Sequence, residues 1–171
     1  MREQERLYAS LRKDLTRRYT RLADLATATS FGVEVDPSLW KPLTDFATGR
    51  APYAPLQFAR WLEEAEVLAS EKRFFHWELE FPDVFFDRQG RPLGDDAGFD
   101  AVVGNPPYVQ SKRFPELKPY LQEAFAETFK GKADLYVYFF QLGLSKLKHK
   151  GRMSYISSGL FGKLDYGGPL R

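Results

Sequence analysis

The spacing of apolar residues in the first part of the chain predicts a mostly helical region. Leucine and tyrosine recur every three or four positions over residues 2–27, with arginine and aspartate between them, which is typical of an amphipathic helix. The same spacing predicts a second helix over Pro55–Arg73. Residues 28–53 contain five glycines and prolines, so they predict a loop with at most a short helix around Leu39–Phe46. Residues 1–73 are therefore predicted to form a helical N-terminal region.

A different pattern begins at residue 74 and predicts a second region over residues 74–171. Trp77, Leu79 and Phe81 alternate with glutamates, which is the periodicity of a strand. His76 lies beside this run, and we expect it to be a structural residue rather than a metal ligand or a base.

The rest of this region has the order of elements of an α/β fold. Residues 87–98 have the composition of a turn, and Phe99–Val103 is a short apolar run that favours a parallel strand buried on both faces. A helix is predicted over Pro119–Phe129, and Arg152–Ser157 is predicted to be a second strand. Two strands joined through helices predict a parallel crossover, with loops at the carboxyl ends of the strands available for chemistry.

One further helix is predicted between these strands. Asp134 is suited to cap its N-terminus, and Gly151 is suited to end it. Three lysines, Lys146, Lys148 and Lys150, are suited to the negative end of its dipole.

Composition excludes several kinds of site. The 171 residues include no cysteine and only two histidines, which excludes disulfides, thiolate metal sites, a cysteine nucleophile and a site built from three histidines. No stretch approaches 18 apolar residues, so we expect a cytoplasmic protein without a membrane span. Residues 1–110 carry 14 Lys and Arg against 18 Asp and Glu, whereas residues 111–171 carry 11 against 5. Either a polyanionic partner or a solvated basic face explains the cationic last third.

The sequence Asn105-Pro106-Pro107-Tyr108 directly follows the predicted first strand and Gly104. An amino group conjugated to a ring is a poor nucleophile and must be oriented before it reacts. The Asn105 side-chain oxygen and the Pro106 carbonyl can each accept one of its N–H groups, and Pro107 restricts Pro106 to an extended conformation. Tyr108 can stack on a planar substrate. The alternative is that these residues only end a strand, with Tyr108 as a surface aromatic.

The residues around this motif resemble those of a known family. Phe99–Val109 is similar to the catalytic motif of S-adenosylmethionine-dependent amino-methyltransferases, specifically adenine-N6 DNA methyltransferases of restriction-modification systems. The flanking stretches that extend the resemblance are His76–Phe85, Ala133–Val137, Lys150–Ser157 and Tyr166–Arg171. The resemblance covers roughly the second half of the chain and implies a partial Rossmann-like methyltransferase domain.

The resemblance also implies roles for individual residues. An adenine flipped out of double-stranded DNA would stack on Tyr108, and its N6 amino group would bind Asn105 and Pro106 in the Asn105–Tyr108 loop. Four basic residues near this loop are candidates for phosphate contacts, although a solvated surface explains each equally well: Lys112, Arg113, Lys130 and Lys132.

One part of the family pattern is missing. The family binds its methyl donor on a glycine-rich turn after the first strand, and none of the 13 glycines forms such a turn. We also expect the target-recognition domain of the family to lie outside these 171 residues. We therefore expect a catalytic-loop fragment whose partners are DNA, the remainder of the methyltransferase and a target-recognition domain.

Two other functions remain open at this point. The same loop serves methyltransferases that act on protein glutamine or on RNA, but the Glu-Pro and Gly-Gly-x-x-Gly-Leu patterns of the glutamine enzymes are absent between Val109 and Leu135. A non-catalytic nucleic-acid-binding remnant that retains the loop is the other alternative.

Overall fold

The protein is an α/β chain that divides into two compact units between Glu80 and Phe81. The computed structural model describes residues 2–52 and 58–157, with the backbone alone over residues 2–15. The division into a helical N-terminal region, residues 1–73, and a methyltransferase region, residues 74–171, stays a prediction. None of the described helices is both long and apolar enough to cross a membrane.

The N-terminal unit is helical. Its helices are α1 (Arg2–Thr29), α2 (Trp40–Ala47), α3 (Phe58–Lys72) and α4 (Trp77–Glu80). Helices α1 and α3 confirm the two helices predicted from the apolar spacing, and α2 confirms the short helix expected around Leu39–Phe46. Residues 55–57 of the helix predicted over Pro55–Arg73 lie outside the described residues. The buried residues that form the core are Leu25, Ala28, Val33, Leu43, Phe58 and Ala65.

Polar contacts tie α1 to other parts of this unit. Arg21 on α1 forms an ion pair with Glu66 on α3 at 3.3 Å. The Nε2 atom of His76 lies 2.7 Å from Oδ1 of Asp24, and both side chains are about 15% exposed (15% and 14%). The pairing with Asp24 confirms that His76 is a structural residue.

The strand predicted around Trp77 and Phe81 is wrong, because this segment forms two short helices, α4 and α5 (Pro82–Phe85). The His76 carbonyl accepts the N–H groups of both Leu79 and Glu80 at 3.0 Å, which closes a helical turn. Pro82 occupies the first turn of α5, a position that its fixed φ favours. Alternation over five residues was too short to distinguish a strand from these turns.

The C-terminal unit contains a parallel two-stranded sheet. Strand β1 (Phe99–Gly104) pairs with β2 (Leu147–Tyr155), in a register that runs from Ala101 opposite Arg152 to Gly104 opposite Tyr155. Helices α6 (Lys118–Ala124) and α7 (Leu135–Ser145) lie between the strands along the chain. This order confirms the predicted α/β crossover and is compatible with a partial Rossmann-like methyltransferase domain.

Several details of the sheet differ from the prediction. The strand β1 was expected to be buried on both faces, but Val103 is 76% exposed because, among the described residues, β1 pairs with β2 alone. The last predicted helix ends at Ser145 rather than at Gly151. Lys146 is the C-cap residue of α7, as predicted for a lysine at this helix end, whereas Lys148, Lys150 and Gly151 belong to β2. Lys148 instead pairs across the sheet with Asp100, which lowers the pKa of that carboxyl through their hydrogen bond.

The helix α7 packs closely on β2 at a glycine. A Cβ atom on Gly143 would lie 2.6 Å from the Tyr155 hydroxyl and 2.7 Å from the Met153 sulfur. The core beside this contact is formed by Phe114, Leu121, Ala133, Tyr136, Val137 and Tyr138. This core lies under the segment that leads from β1 to α7.

We expect Gly98→Ala to destabilise the C-terminal unit more than Gly90→Ala does. Both glycines have positive φ, +116° and +75°, but a Cβ on Gly98 would lie 2.5 Å from the Lys148 backbone nitrogen, whereas nothing lies within 4 Å at Gly90. The φ strain costs about 1–2 kcal/mol at each site, and the backbone clash adds to it only at Gly98. Urea unfolding of the two variants measures the difference, and equal losses would contradict the packing described.

Candidate functional site

The Asn105–Tyr108 loop leaves the sheet where the two parallel strands end together. The main-chain N–H of Ile156, directly after β2, donates to the Gly104 carbonyl at 3.0 Å and extends the pairing beyond the strands. The loop therefore begins at the carboxyl edge of the sheet, where open α/β sheets bind ligands.

Burial differs sharply within the loop. Pro106 is buried, whereas Asn105 and Pro107 are exposed and Tyr108 is 53% exposed. Pro106 thus packs against the protein, and the Asn105 side chain and the Tyr108 ring remain accessible. Such an arrangement is suited to holding a planar ligand without covering it.

Two contacts fix the orientation of Tyr108. Its hydroxyl donates to the Ile156 carbonyl at 3.0 Å. Its ring lies 5.7 Å from the ring of the buried Tyr136, centroid to centroid, at an interplanar angle of 43°. The half-exposed ring therefore has both its tip and one side held by the protein.

The exit of the loop is tied to the start of α7. The Leu135 N–H donates to the Val109 carbonyl at 2.9 Å, and the Ser111 N–H donates to Oδ1 of Asp134 at 3.2 Å. The prediction that the Asp134 side chain caps its helix is wrong, because it makes no capping hydrogen bond. The Asp134 carboxylate accepts the Ser111 N–H instead of an N–H of its own helix.

The four basic candidates lie on two turns that the Ser111–Asp134 hydrogen bond joins. Lys112 and Arg113 directly follow Ser111, and Lys130 and Lys132 shortly precede Asp134. All four are exposed, and none forms an ion pair with another described residue. Their role in binding phosphates stays a prediction, as does a purely solvated role.

Two tyrosines of the C-terminal unit, Tyr138 on α7 and Tyr155 on β2, have raised pKa values. Burial raises the pKa of the Tyr138 hydroxyl, which donates to the Lys130 carbonyl at 3.2 Å, and burial likewise raises the pKa of Tyr155. Within the described part of the chain, no group of three or more histidines and carboxylates is arranged to hold a metal ion. The arrangement at the loop offers hydrogen-bond acceptors and an aromatic face.

The described residues do not form the glycine-rich turn that the donor would require. The glycines with positive φ, namely Gly32, Gly49, Gly90, Gly94 and Gly98, all precede β1 along the chain. Gly104 does end a strand, but it leads directly into Asn105. The expectation that the donor site lies outside this part of the chain stays a prediction.

Comparison with known proteins identifies the family. The model of the Eco57I restriction-modification methylase family matches residues 12–171. The chain belongs to this family.

Curated relatives match a shorter segment. The chain is 41% identical over 73 residues to the type II methyltransferase M.XhoI of Xanthomonas vasicola, and 40% identical over 75 residues to M.PaeR7I of Pseudomonas aeruginosa. Each match covers 43% of this chain and 13% of the relative. The type II restriction enzyme and methyltransferase RM.Eco57I of Escherichia coli is 33% identical over 76 residues, which is 8% of its length. No solved structure matches the chain.

Sequence reasoning did not identify two groups that shape the site. Tyr136 supports the ring of Tyr108, and the main-chain carbonyl of Ile156 accepts its hydroxyl. The stretch Ala133–Val137 was identified as the start of a predicted helix and through the family resemblance, and neither gave Tyr136 a role. A main-chain carbonyl carries no sequence signal, so the Ile156 contact requires the fold.

We expect Tyr108→Phe to lower the free energy of unfolding of the C-terminal unit by about 1 kcal/mol, the usual net value of one hydrogen bond. The phenylalanine ring keeps the contact with Tyr136 but loses the bond to Ile156. Chemical denaturation measures the loss of unfolding free energy, and amide hydrogen exchange at Ile156 provides a local readout. Tyr19→Phe is the matched control, since Tyr19 is exposed and makes no hydrogen bond with another described residue. An unchanged unfolding free energy in Tyr108→Phe would contradict the described contact.

Proposed function

We propose that this chain carries the catalytic loop of a site-specific DNA adenine-N6 methyltransferase of a restriction-modification system. The observation that carries the proposal is the Asn105–Tyr108 loop at the carboxyl edge of the sheet, with Tyr108 held by Ile156 and Tyr136. Membership of the Eco57I restriction-modification methylase family supports DNA as the substrate.

The loop orients the amino group that receives the methyl group. The Asn105 side-chain oxygen and the Pro106 carbonyl each accept one N–H of the adenine 6-amino group, which fixes the direction of its nitrogen lone pair. Neither Pro106 nor Pro107 has an N–H that competes for these acceptors. The loop contributes by positioning and electrostatics and forms no covalent bond with the base.

The base reaches this loop only after it leaves the duplex. A methyltransferase must rotate its target base out of the stack, and an aromatic ring on which the base stacks offsets part of the unstacking cost. The half-exposed ring of Tyr108 is available for this contact. The basic turns around Lys112 and Lys132 contact the phosphates on either side.

The methyl donor, S-adenosylmethionine, and the target-recognition domain are assigned to sequence outside this chain. This division agrees with the small share, 13%, of the curated methyltransferases that the chain matches. The remainder of the methyltransferase is therefore a partner of the loop, and the reaction takes place on DNA in the cytoplasm.

The family membership favours DNA over protein glutamine or RNA as the substrate of this loop. The names of the curated relatives are those of type II methyltransferases and of a combined restriction enzyme and methyltransferase. A non-catalytic remnant would retain the phosphate contacts but would not distinguish bases by their amino groups. A comparison of two bases that differ only in the 6-amino group therefore separates the two functions.

We expect the chain to bind adenine about 10-fold more tightly than purine when each is placed opposite an abasic site in the same duplex. Purine lacks the 6-amino group, so the two acceptors on Asn105 and Pro106 are left unpaired, at a cost of about 1–3 kcal/mol. Fluorescence anisotropy at low salt measures both dissociation constants.

Two variants separate recognition of the base from attraction to the backbone. Asn105→Ala should abolish most of the preference for adenine while retaining duplex binding. Lys112→Ala should weaken binding to both duplexes equally and reduce the slope of log K against log salt by about 1. Equal affinity of the unmodified chain for the two duplexes would overturn the assignment of Asn105 and Pro106.

We expect no saturable binding of S-adenosylmethionine to the 171-residue chain. The chain lacks the glycine-rich turn that the family uses for the donor. Isothermal titration calorimetry at high protein concentration measures this directly. Stoichiometric binding would show that the donor site has been assigned to the wrong part of the protein.

A further inference from the structure

The side chain of Asp134 is used in an unusual way for its position. It precedes the first residue of α7, where an aspartate commonly accepts an N–H of its own helix and stabilises it. In this protein it makes no such bond, and its Oδ1 atom accepts the main-chain N–H of Ser111 at 3.2 Å. The carboxylate thus joins two segments separated by 23 residues.

The contacts on either side of Asp134 converge on the same short stretch. Leu135 donates its N–H to the Val109 carbonyl at 2.9 Å, and the ring of Tyr136 lies 5.7 Å from the ring of Tyr108. Three consecutive residues at the start of α7 therefore contact three positions of the segment that leaves the Asn105–Tyr108 loop.

The start of α7, which makes these contacts, is firmly packed. Ala133 and Val137 are completely buried, and Tyr136 is 3% exposed, so the start of α7 is packed into the core. The Ala133 N–H also donates to the Lys130 carbonyl at 2.7 Å. The hydrogen bonds to the start of α7 therefore hold the loop in place, although Asn105 and Tyr108 themselves are exposed.

We propose that Asp134 is a positioning residue for the Asn105–Tyr108 loop, acting through its hydrogen bond from Ser111. This inference rests on the proposed function, because its consequence is the alignment of the acceptors on Asn105 and Pro106 with an amino group. Asp134 touches neither the base nor the methyl group. Its carboxylate also joins the two basic turns. The residues proposed to contact the DNA phosphates and those proposed to contact the adenine are therefore held by the same hydrogen bond.

The experiment compares Asp134→Ala with Asp134→Asn in the 171-residue chain. Asparagine keeps a side-chain oxygen that accepts the Ser111 N–H but lacks the charge, whereas alanine removes the acceptor. Amide hydrogen exchange of Ser111 and Leu135, the two N–H donors that tie the loop exit to the start of α7, reports the position of the loop without any ligand. We expect at least about 10-fold faster exchange of Ser111 in Asp134→Ala and near-normal exchange in Asp134→Asn.

The second readout is the preference for adenine over purine in the abasic-site duplex. We expect Asp134→Ala to reduce the preference to about 2-fold or less, since a hydrogen bond contributes only when its geometry is maintained, and Asp134→Asn to retain it. Asp83→Ala, at an exposed carboxylate in the same unit, is the matched control and should retain the preference.

The outcomes separate this inference from the proposed function. A normal preference for adenine in Asp134→Ala, with the unmodified chain showing the preference, overturns the positioning role and leaves the function of the loop intact. Absence of any preference in the unmodified chain overturns the proposed function itself. Loss of the preference in Asp134→Asn as well, with exchange of Ser111 still near normal, would also overturn the role assigned to the hydrogen bond.

Discussion

The parallel pairing of β1 with β2 is the constraint on which the candidate site depends. It brings the carboxyl ends of two strands that are far apart in sequence to one edge, and the hydrogen bond from Ile156 to Gly104 extends the pairing to the point where the loop begins. Only this juxtaposition allows the hydroxyl of Tyr108 to reach the carbonyl of Ile156, 48 residues later. The loop follows β1 and is consequently supported by a residue that follows β2.

The site combines a rigid support with accessible reactive groups. Pro106 and the start of α7 are buried, while Asn105 and half of the Tyr108 surface face outward. Burial raises the pKa of the Tyr138 and Tyr155 hydroxyls. Orientation of a weakly nucleophilic amino group needs fixed acceptors more than a titrating base, and this is the role that we propose for Asn105 and Pro106.

The sequence predicted the features that depend on local pattern. The helices α1 and α3 follow from regular apolar spacing, the strand β1 follows from an apolar run that ends at Gly104, and the Asn-Pro-Pro-Tyr motif indicated the loop. Each of these features is determined by residues that are close to it in the sequence.

The sequence did not predict features that depend on tertiary contacts. The Trp77–Phe81 segment became helical turns, and Asp134 bonded to a distant N–H instead of its own helix. The exposure of Val103 reflects how few strands pair with β1 in the described chain, which no local pattern encodes. The support of Tyr108 by a main-chain carbonyl is of the same kind.

The central claim is that the loop presents an adenine amino group for methylation, and the methylated product tests it most directly. The matching segment of the Xanthomonas vasicola methyltransferase M.XhoI can be replaced by that of this chain, and the DNA modified by the purified hybrid can be digested to nucleosides and analysed by mass spectrometry. The account predicts N6-methyladenine from the hybrid and none when Asn105→Ala is added. A methyl group on another base, or an undiminished yield from the Asn105→Ala hybrid, would contradict it.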